Sequence, residues 1–184
     1  MTIAKYALCA AVALMSVVSS ASAHRLDDYL QATTIDLARN RIALTLRLTP
    51  GVAVTEAVLR QMDRDGDGVL SPEEKHAYAE RIAEDLSFSL NGKSVSLEPG
   101  TVVFPSVAAM RAGTGTMTIR FDASGELAAG DYQVAYRNRG SGAGTVYLVN
   151  CLVPRTASIH VTNQKRSPDQ SFYALDFSVD GKKG

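Results

Sequence analysis

An alternation of apolar and polar side chains runs through residues 41–48, which read RIALTLRL. One face of this stretch is entirely aliphatic and consists of Ile42, Leu44, Leu46 and Leu48. The two arginines and Thr45 fall on the other face, because successive side chains of a strand point to opposite sides of its sheet. Residues 41–48 therefore predict a strand with one buried face.

The same period of two returns along most of the chain. Alternating apolar residues predict further strands at residues 86–90, 117–121, 132–136 and 173–179. Asn91-Gly92 follows the first of these and is a strong hairpin signal. Residues 146–153 form a run that is apolar except for Asn150 and that Pro154 ends, which predicts a central strand buried on both sides. Short strands separated by turn residues are typical of a β-sandwich, and we expect about eight antiparallel strands.

One segment departs from this rhythm. Its apolar residues fall four apart in two groups, Val54, Val58 and Met62 and then Tyr78, Ile82 and Leu86. A spacing of three to four places side chains on one face of a helix. Residues 54–86 therefore predict a helix-loop-helix inserted between strands of the sandwich.

The loop between these helices, residues 63–74, reads DRDGDGVLSPEE. Calcium prefers six to eight oxygen ligands, and a loop of twelve residues can supply them from positions 1, 3, 5, 7, 9 and 12. The predicted metal ligands are the side chains of Asp63, Asp65, Asp67, Ser71 and Glu74 and the backbone carbonyl of Val69. Gly68 at position 6 allows the sharp turn that the loop needs.

Residues 54–86 resemble the EF-hand calcium-binding family. The pattern D-x-[DN]-x-[DN]-G-x₅-E is met without a departure. The resemblance implies one bound Ca²⁺ ion. A second reading of Ser71-Pro72-Glu73-Glu74 is a capping box that starts a helix with or without metal, but that reading does not require three acids at positions 1, 3 and 5.

A single loop has no second EF-hand in this chain to pair with. We therefore expect weak binding, with a dissociation constant on the order of 10⁻⁵ to 10⁻³ M, and a structural role for the ion. The expected partners are calcium and either another protein or a second copy that pairs through the EF-hand.

Residues 1–23 are typical of a secretory signal peptide, with Lys5 before an apolar run and Ala21-Ser22-Ala23 as the cleavage site. The run is shorter than the roughly 20 residues that span a bilayer. Cleavage leaves residues 24–184 as a single domain with no membrane span, and we expect it to be periplasmic or secreted. The 19 basic and 19 acidic residues become 18 and 19, which gives no basic field for nucleic acid.

His24 is the predicted first residue after cleavage, and its imidazole and free α-amine suit Cu²⁺ or Ni²⁺. The pair Ala23-His24 followed by sandwich-like strands is also loosely similar to periplasmic domains that precede nickel and cobalt exporter-type membrane proteins. The alternative function is therefore an accessory role in handling Cu, Ni or Co. His76 and His160 are the other two histidines, and both are predicted to be ordinary surface residues.

No pattern of an enzyme is present in the sequence, which shows neither a nucleophile with its base nor paired acids outside the calcium loop. The glycine-rich residues 140–144 precede a predicted strand, whereas a phosphate-binding loop opens a helix. Cys151 is the only cysteine after residue 23, which excludes an internal disulfide, and it is predicted to pack as a small apolar side chain.

Overall fold

The computed structural model describes residues 27–140, 142 and 144–181. The predicted signal peptide and His24 lie outside the described residues. The described part is mainly β, and none of its helices is long and apolar enough to cross a membrane.

Ten strands and three helices make up the described part of the chain. The strands are β1 (Tyr29–Ala38), β2 (Arg41–Pro50), β3 (Leu86–Leu90), β4 (Lys93–Val95), β5 (Glu98–Val103), β6 (Met117–Ser124), β7 (Gly130–Asn138), β8 (Thr145–Cys151), β9 (Ile159–Arg166) and β10 (Phe172–Val179). The helices are α1 (Val52–Met62), α2 (Pro72–Glu84) and α3 (Val107–Arg111). Helices α1 and α2 lie between β2 and β3, as the change of spacing predicts.

The strands form two five-stranded sheets. The first has the order β5-β6-β2-β1-β8 and the second β4-β3-β7-β10-β9. Neighbouring strands are antiparallel except β1 and β8, which pair in parallel with Tyr29 opposite Thr145. The two sheets contribute to one hydrophobic core, in which Leu46 and Phe121 of the first sheet and Leu175 of the second are fully buried.

Alternation in the sequence matches burial in the structure along β2, β6, β7 and β10. The aliphatic face of β2 is fully buried, whereas Arg47 on its other face is exposed. Burying one such aliphatic side chain contributes about 1.5–3 kcal/mol. A bond between the hydroxyl groups of Thr33 and Tyr136, 2.7 Å apart, joins the two sheets inside this core.

The prediction of about eight antiparallel strands is corrected to ten strands with one parallel pair. Strand β1 was not predicted because its inward face carries Gln31 and Thr33 beside apolar residues, which hides the alternation. Strand β4 has only three residues, and β5 has a register shift between Pro99 and Val102.

The prediction that residues 146–153 form a central strand buried on both sides is wrong. Strand β8 lies at the edge of its sheet, and Val146 and Leu148 on its outer face are exposed. This mostly apolar run contains one exposed polar residue, Asn150, and it indicates only that the strand has few polar side chains. It does not show whether another layer covers the outer face.

Candidate metal centre

The acidic loop begins where α1 ends. Val58 and Met62 of α1 are buried against the core, and the helix stops at Asp63, whose backbone N–H donates to the carbonyl of Leu59 at 2.8 Å. The burial of this face fixes the direction in which the chain enters the loop.

The loop ends at a complete capping box that begins α2. The backbone N–H of Glu74 donates to the Ser71 hydroxyl at 3.2 Å, and the Ser71 N–H donates to Glu74 Oε2 at 2.9 Å. Pro72 occupies the first turn, where a missing N–H costs nothing. Both bonds satisfy backbone donors that a helix start otherwise leaves free.

Three aspartates converge inside the loop. One carboxylate oxygen from each of Asp63, Asp65 and Asp67 lies within 4.8 Å of the others. Backbone N–H groups of the loop hold these side chains in place. The N–H groups of Gly66 and Gly68 donate to the Asp63 carboxylate at 2.7 and 3.0 Å. The Asp67 N–H donates to the Asp65 carboxylate at 3.2 Å, and the Val69 N–H donates to the Asp67 carboxylate at 2.7 Å. Asp65 and Asp67 each use only Oδ1 in these bonds, so Oδ2 of each remains without a hydrogen bond to the described residues.

Two glycines make this curvature possible. Gly66 and Gly68 have φ values of +74° and +79°, a left-handed conformation that side chains with a Cβ rarely adopt. No atom lies within 4 Å of the place where either Cβ would stand. The requirement for glycine is therefore conformational, and both turns direct backbone N–H groups toward the aspartates.

Glu74 is held at the start of α2 and does not belong to the aspartate cluster. Its Oε1 accepts the backbone N–H of Arg64 at 2.7 Å, which connects the last residue of the loop to the second. The N–H groups of Ser71 and Arg64 and the Ser71 hydroxyl lower the pKa of the Glu74 carboxyl below its ordinary value. Glu74 is only 8% exposed, so an ionised carboxylate is fixed beside the loop.

The remaining loop residues are divided between core and solvent. Leu70 is buried beneath the loop, whereas the side chain of Val69 is exposed. The Ser71 hydroxyl also donates to Glu74 Oε2 at 2.9 Å. The structure thus brings three of the six predicted ligands together as a cluster and places Ser71 and Glu74 in a capping arrangement next to it.

No family model, curated protein or solved structure matches this chain. Any functional conclusion therefore depends on the chemistry of the loop itself. Its donors are carboxylate, hydroxyl and carbonyl oxygens, which suit a hard divalent cation such as Ca²⁺ and do not suit a soft one.

The two described histidines lie apart from this cluster. His76 on α2 pairs with Glu80 at 3.3 Å, and both side chains are more than half exposed. His160 on β9 pairs with Asp180 at 3.0 Å, also at the surface. Within the described ranges, the three aspartates are the only group of three or more metal-ligating side chains found this close together.

A side-chain contact between α1 and α2 was not predicted from the sequence. The Arg81 guanidinium of α2 donates to Gln61 Oε1 of α1 at 2.9 Å and lies 4.9 Å from the centre of the Tyr78 ring. Tyr78 and Arg81 are three apart and so predictably share a helix face. Nothing local identifies Gln61 as the partner, because it lies 20 residues away across the loop.

Proposed function

We propose that this chain is an exported calcium-binding protein, a β-sandwich in which a single EF-hand at residues 54–86 holds one Ca²⁺ ion. The role is structural or binding and not catalytic. The observation that carries the proposal is the convergence of the Asp63, Asp65 and Asp67 carboxylates in a loop whose ends are joined by the bond from Arg64 to Glu74.

The residues that would hold the ion are Asp63, Asp65, Asp67, the carbonyl of Val69, Ser71 and Glu74. The bound cation would supply positive charge to a site where several carboxylates meet. The protein contributes the glycine turns and the N–H groups that orient the carboxylates, together with the two helices that fix where the loop begins and ends. No group in this arrangement suits chemistry on a substrate.

Calcium would stabilise the fold by mass action, since it binds the native loop and not the unfolded chain. For a dissociation constant of 10⁻⁵ to 10⁻³ M, millimolar calcium would add about 0.4 to 2.7 kcal/mol to the free energy of unfolding. An ion that is bound throughout in a calcium-rich compartment would order α1 and α2 permanently, and a protein partner would recognise that ordered surface.

The test is a calorimetric titration of the purified protein with Ca²⁺, with Mg²⁺ as the control cation, followed by thermal melts. We expect heat release with one site per chain, a dissociation constant in the stated range and a higher melting temperature in calcium than in chelator. If millimolar Ca²⁺ gave neither a heat of binding nor a change in melting temperature, the proposal would be wrong. A nanomolar dissociation constant would contradict the structural role.

A further inference from the structure

Strand β8 is an edge strand whose own residues lack the usual protection. Exposed sheet edges pair readily with other strands, and proteins discourage this with charges, proline, bulges or short strands. In the described part of the chain the other three edge strands have such features. Strand β4 is short and contains Lys93, and β5 contains Pro99 and a register shift. Strand β9 contains a register shift and Lys165. Residues 145–154 contain no charged side chain.

Two of the three outward side chains of β8 are apolar, and the third is Asn150. Val146 is 39% exposed and Leu148 is 42% exposed. Tyr147 between them turns inward, and its hydroxyl donates to the carbonyl of Gly140. An uncharged edge strand with two exposed aliphatic side chains suits an apolar, strand-like partner.

Two backbone bonds establish which main-chain groups of β8 face the free edge. The Tyr29 N–H donates to the Gly144 carbonyl and the Leu152 N–H donates to the Ile35 carbonyl, both at 2.8 Å. In a parallel pair alternate residues bond the neighbouring strand. The even-numbered residues of β8 therefore bond β1, and the N–H and C=O groups of residues 145, 147, 149 and 151 point away from the sheet.

Three of these outward groups already have partners. The Thr145 N–H donates to the Gly142 carbonyl at 3.3 Å, the Val149 carbonyl accepts the Nε–H of Arg166 at 2.9 Å, and the Cys151 N–H donates to Asn150 Oδ1 at 3.0 Å. Four adjacent groups have no partner among the described residues, namely the carbonyl of Thr145, both backbone groups of Tyr147 and the N–H of Val149. The Cys151 carbonyl is also free but lies at the strand end.

We propose that a second copy of this chain pairs with β8 in antiparallel orientation about a two-fold axis at Tyr147. An antiparallel ladder with Tyr147 opposite Tyr147 of the second copy needs four bonds in its centre. Two join the Tyr147 backbones, and two run from each Val149 N–H to the Thr145 carbonyl opposite. These are the four adjacent groups left free, and the capped groups on either side end the ladder.

The same register makes the side chains self-complementary. Val146 of one copy lies opposite Leu148 of the other, so two apolar pairs form on the outer face. No like charges meet, because the strand has none. Two five-stranded sheets become one ten-stranded sheet. The interface is small, so we expect a weak dimer that forms only at high protein concentration.

Sedimentation velocity of the purified protein between about 1 and 500 µM tests the dimer. In the V146K/L148K double variant each Lys faces another Lys, and we expect the dissociation constant to rise at least about tenfold. In V146K/L148E each Lys faces a Glu, and dimerisation should return. V103K places the same charge on an exposed valine of edge strand β5 and should leave the dimer unchanged. Thermal melts of each variant establish that it is folded.

Hydrogen exchange provides a second readout that depends on the backbone. The amides of Tyr147 and Val149 should exchange more slowly as the concentration rises, with or without calcium. Three outcomes would overturn the proposal: a monomer at every concentration, a dimer indifferent to the double lysine variant, or concentration-dependent protection confined to the calcium loop. Since the dimer is expected in chelator, its failure is distinguishable from failure of calcium binding.

Discussion

The hydroxyl groups of Tyr29 and Tyr78 lie 2.8 Å apart in the interior and join β1 to α2. Burial raises the pKa of both phenols above the ordinary value, so both remain neutral and one donates to the other. The helix that follows the acidic loop is thus anchored to the sheet by a polar contact as well as by the apolar face of Ile82.

Replacing Tyr78 with Phe should lower the stability of the fold. The substitution leaves the Tyr29 hydroxyl buried without its partner, which costs about 1–3 kcal/mol. Chemical denaturation measures the change in the free energy of unfolding. The Y29F/Y78F double variant is the control, because removing both hydroxyl groups leaves none unpaired and should be less destabilising than Y78F alone. Equal losses in the two variants would contradict this interpretation.

Replacing Glu74 with Gln should abolish the calcium-induced rise in melting temperature. The single carbonyl oxygen of glutamine can still serve in a capping box with Ser71, so α2 should keep its start. The –NH₂ group cannot accept the Arg64 N–H, so the melting temperature in chelator should also fall through the loss of that bond. The matched control is E73Q, which removes the same charge from the neighbouring residue and should preserve the response to calcium. D63A should also lose that response. A variant E74Q that still gains stability from calcium would exclude Glu74 as a ligand.

Cys151 should react slowly with iodoacetamide at pH 8. Burial raises the pKa of its thiol to about 11, and only the thiolate reacts. Compared with the unfolded protein, the folded protein should therefore be labelled about a hundredfold more slowly at this pH. Peptide mass spectrometry after timed labelling measures both rates.

The pH dependence of this reaction has a definite sign. The folded state favours the neutral thiol, so its contribution to stability is complete below the unfolded pKa and is lost as the pH rises towards 11. The labelling rate of the folded protein should increase about tenfold per pH unit between 8 and 10. A rate that levels off near pH 9 would indicate an ordinary, accessible cysteine.

Gly144→Ala should destabilise the protein more than Gly92→Ala. Both glycines have positive φ values, +69° and +75°. A Cβ on Gly144 would lie 2.4 Å from the carbonyl oxygen of Asp27, whereas nothing lies within 4 Å of a Cβ on Gly92. Gly92→Ala should therefore cost about 1–2 kcal/mol of conformational strain. Gly144→Ala should carry the same strain and should also force the backbone at Asp27 to move, so its total cost should be larger. Denaturant melts of the two variants compare them directly.

Features that depend on local sequence were predictable. Residues 41–48 contain their own alternation, and Asn91-Gly92 forms the expected tight turn between β3 and β4, with both residues at positive φ. The acidic loop was equally predictable, because its acids and glycines recur at fixed intervals within 12 residues. In each case the interactions that determine the structure lie close together in the chain.

Features that depend on distant parts of the chain were not predictable. The parallel pairing of β1 with β8 joins residues more than 110 positions apart, and no local pattern indicates it. Val146 and Leu148 are exposed because no other element of the described structure covers the outer face of β8, and the local sequence does not indicate this. The short helix α3 was missed because its only buried residue is Met110, which leaves no periodic signal.

The pairing of β1 with β8 also constrains the order of events during biosynthesis. Strand β1 is among the first parts of the fold to be synthesised, and its hairpin with β2 can form early, but its other neighbour follows only after the strands of both sheets through β7 have been made. The first sheet therefore stays incomplete for most of translation. Contacts between distant segments slow folding, and we expect this chain to acquire its native state late and as a whole.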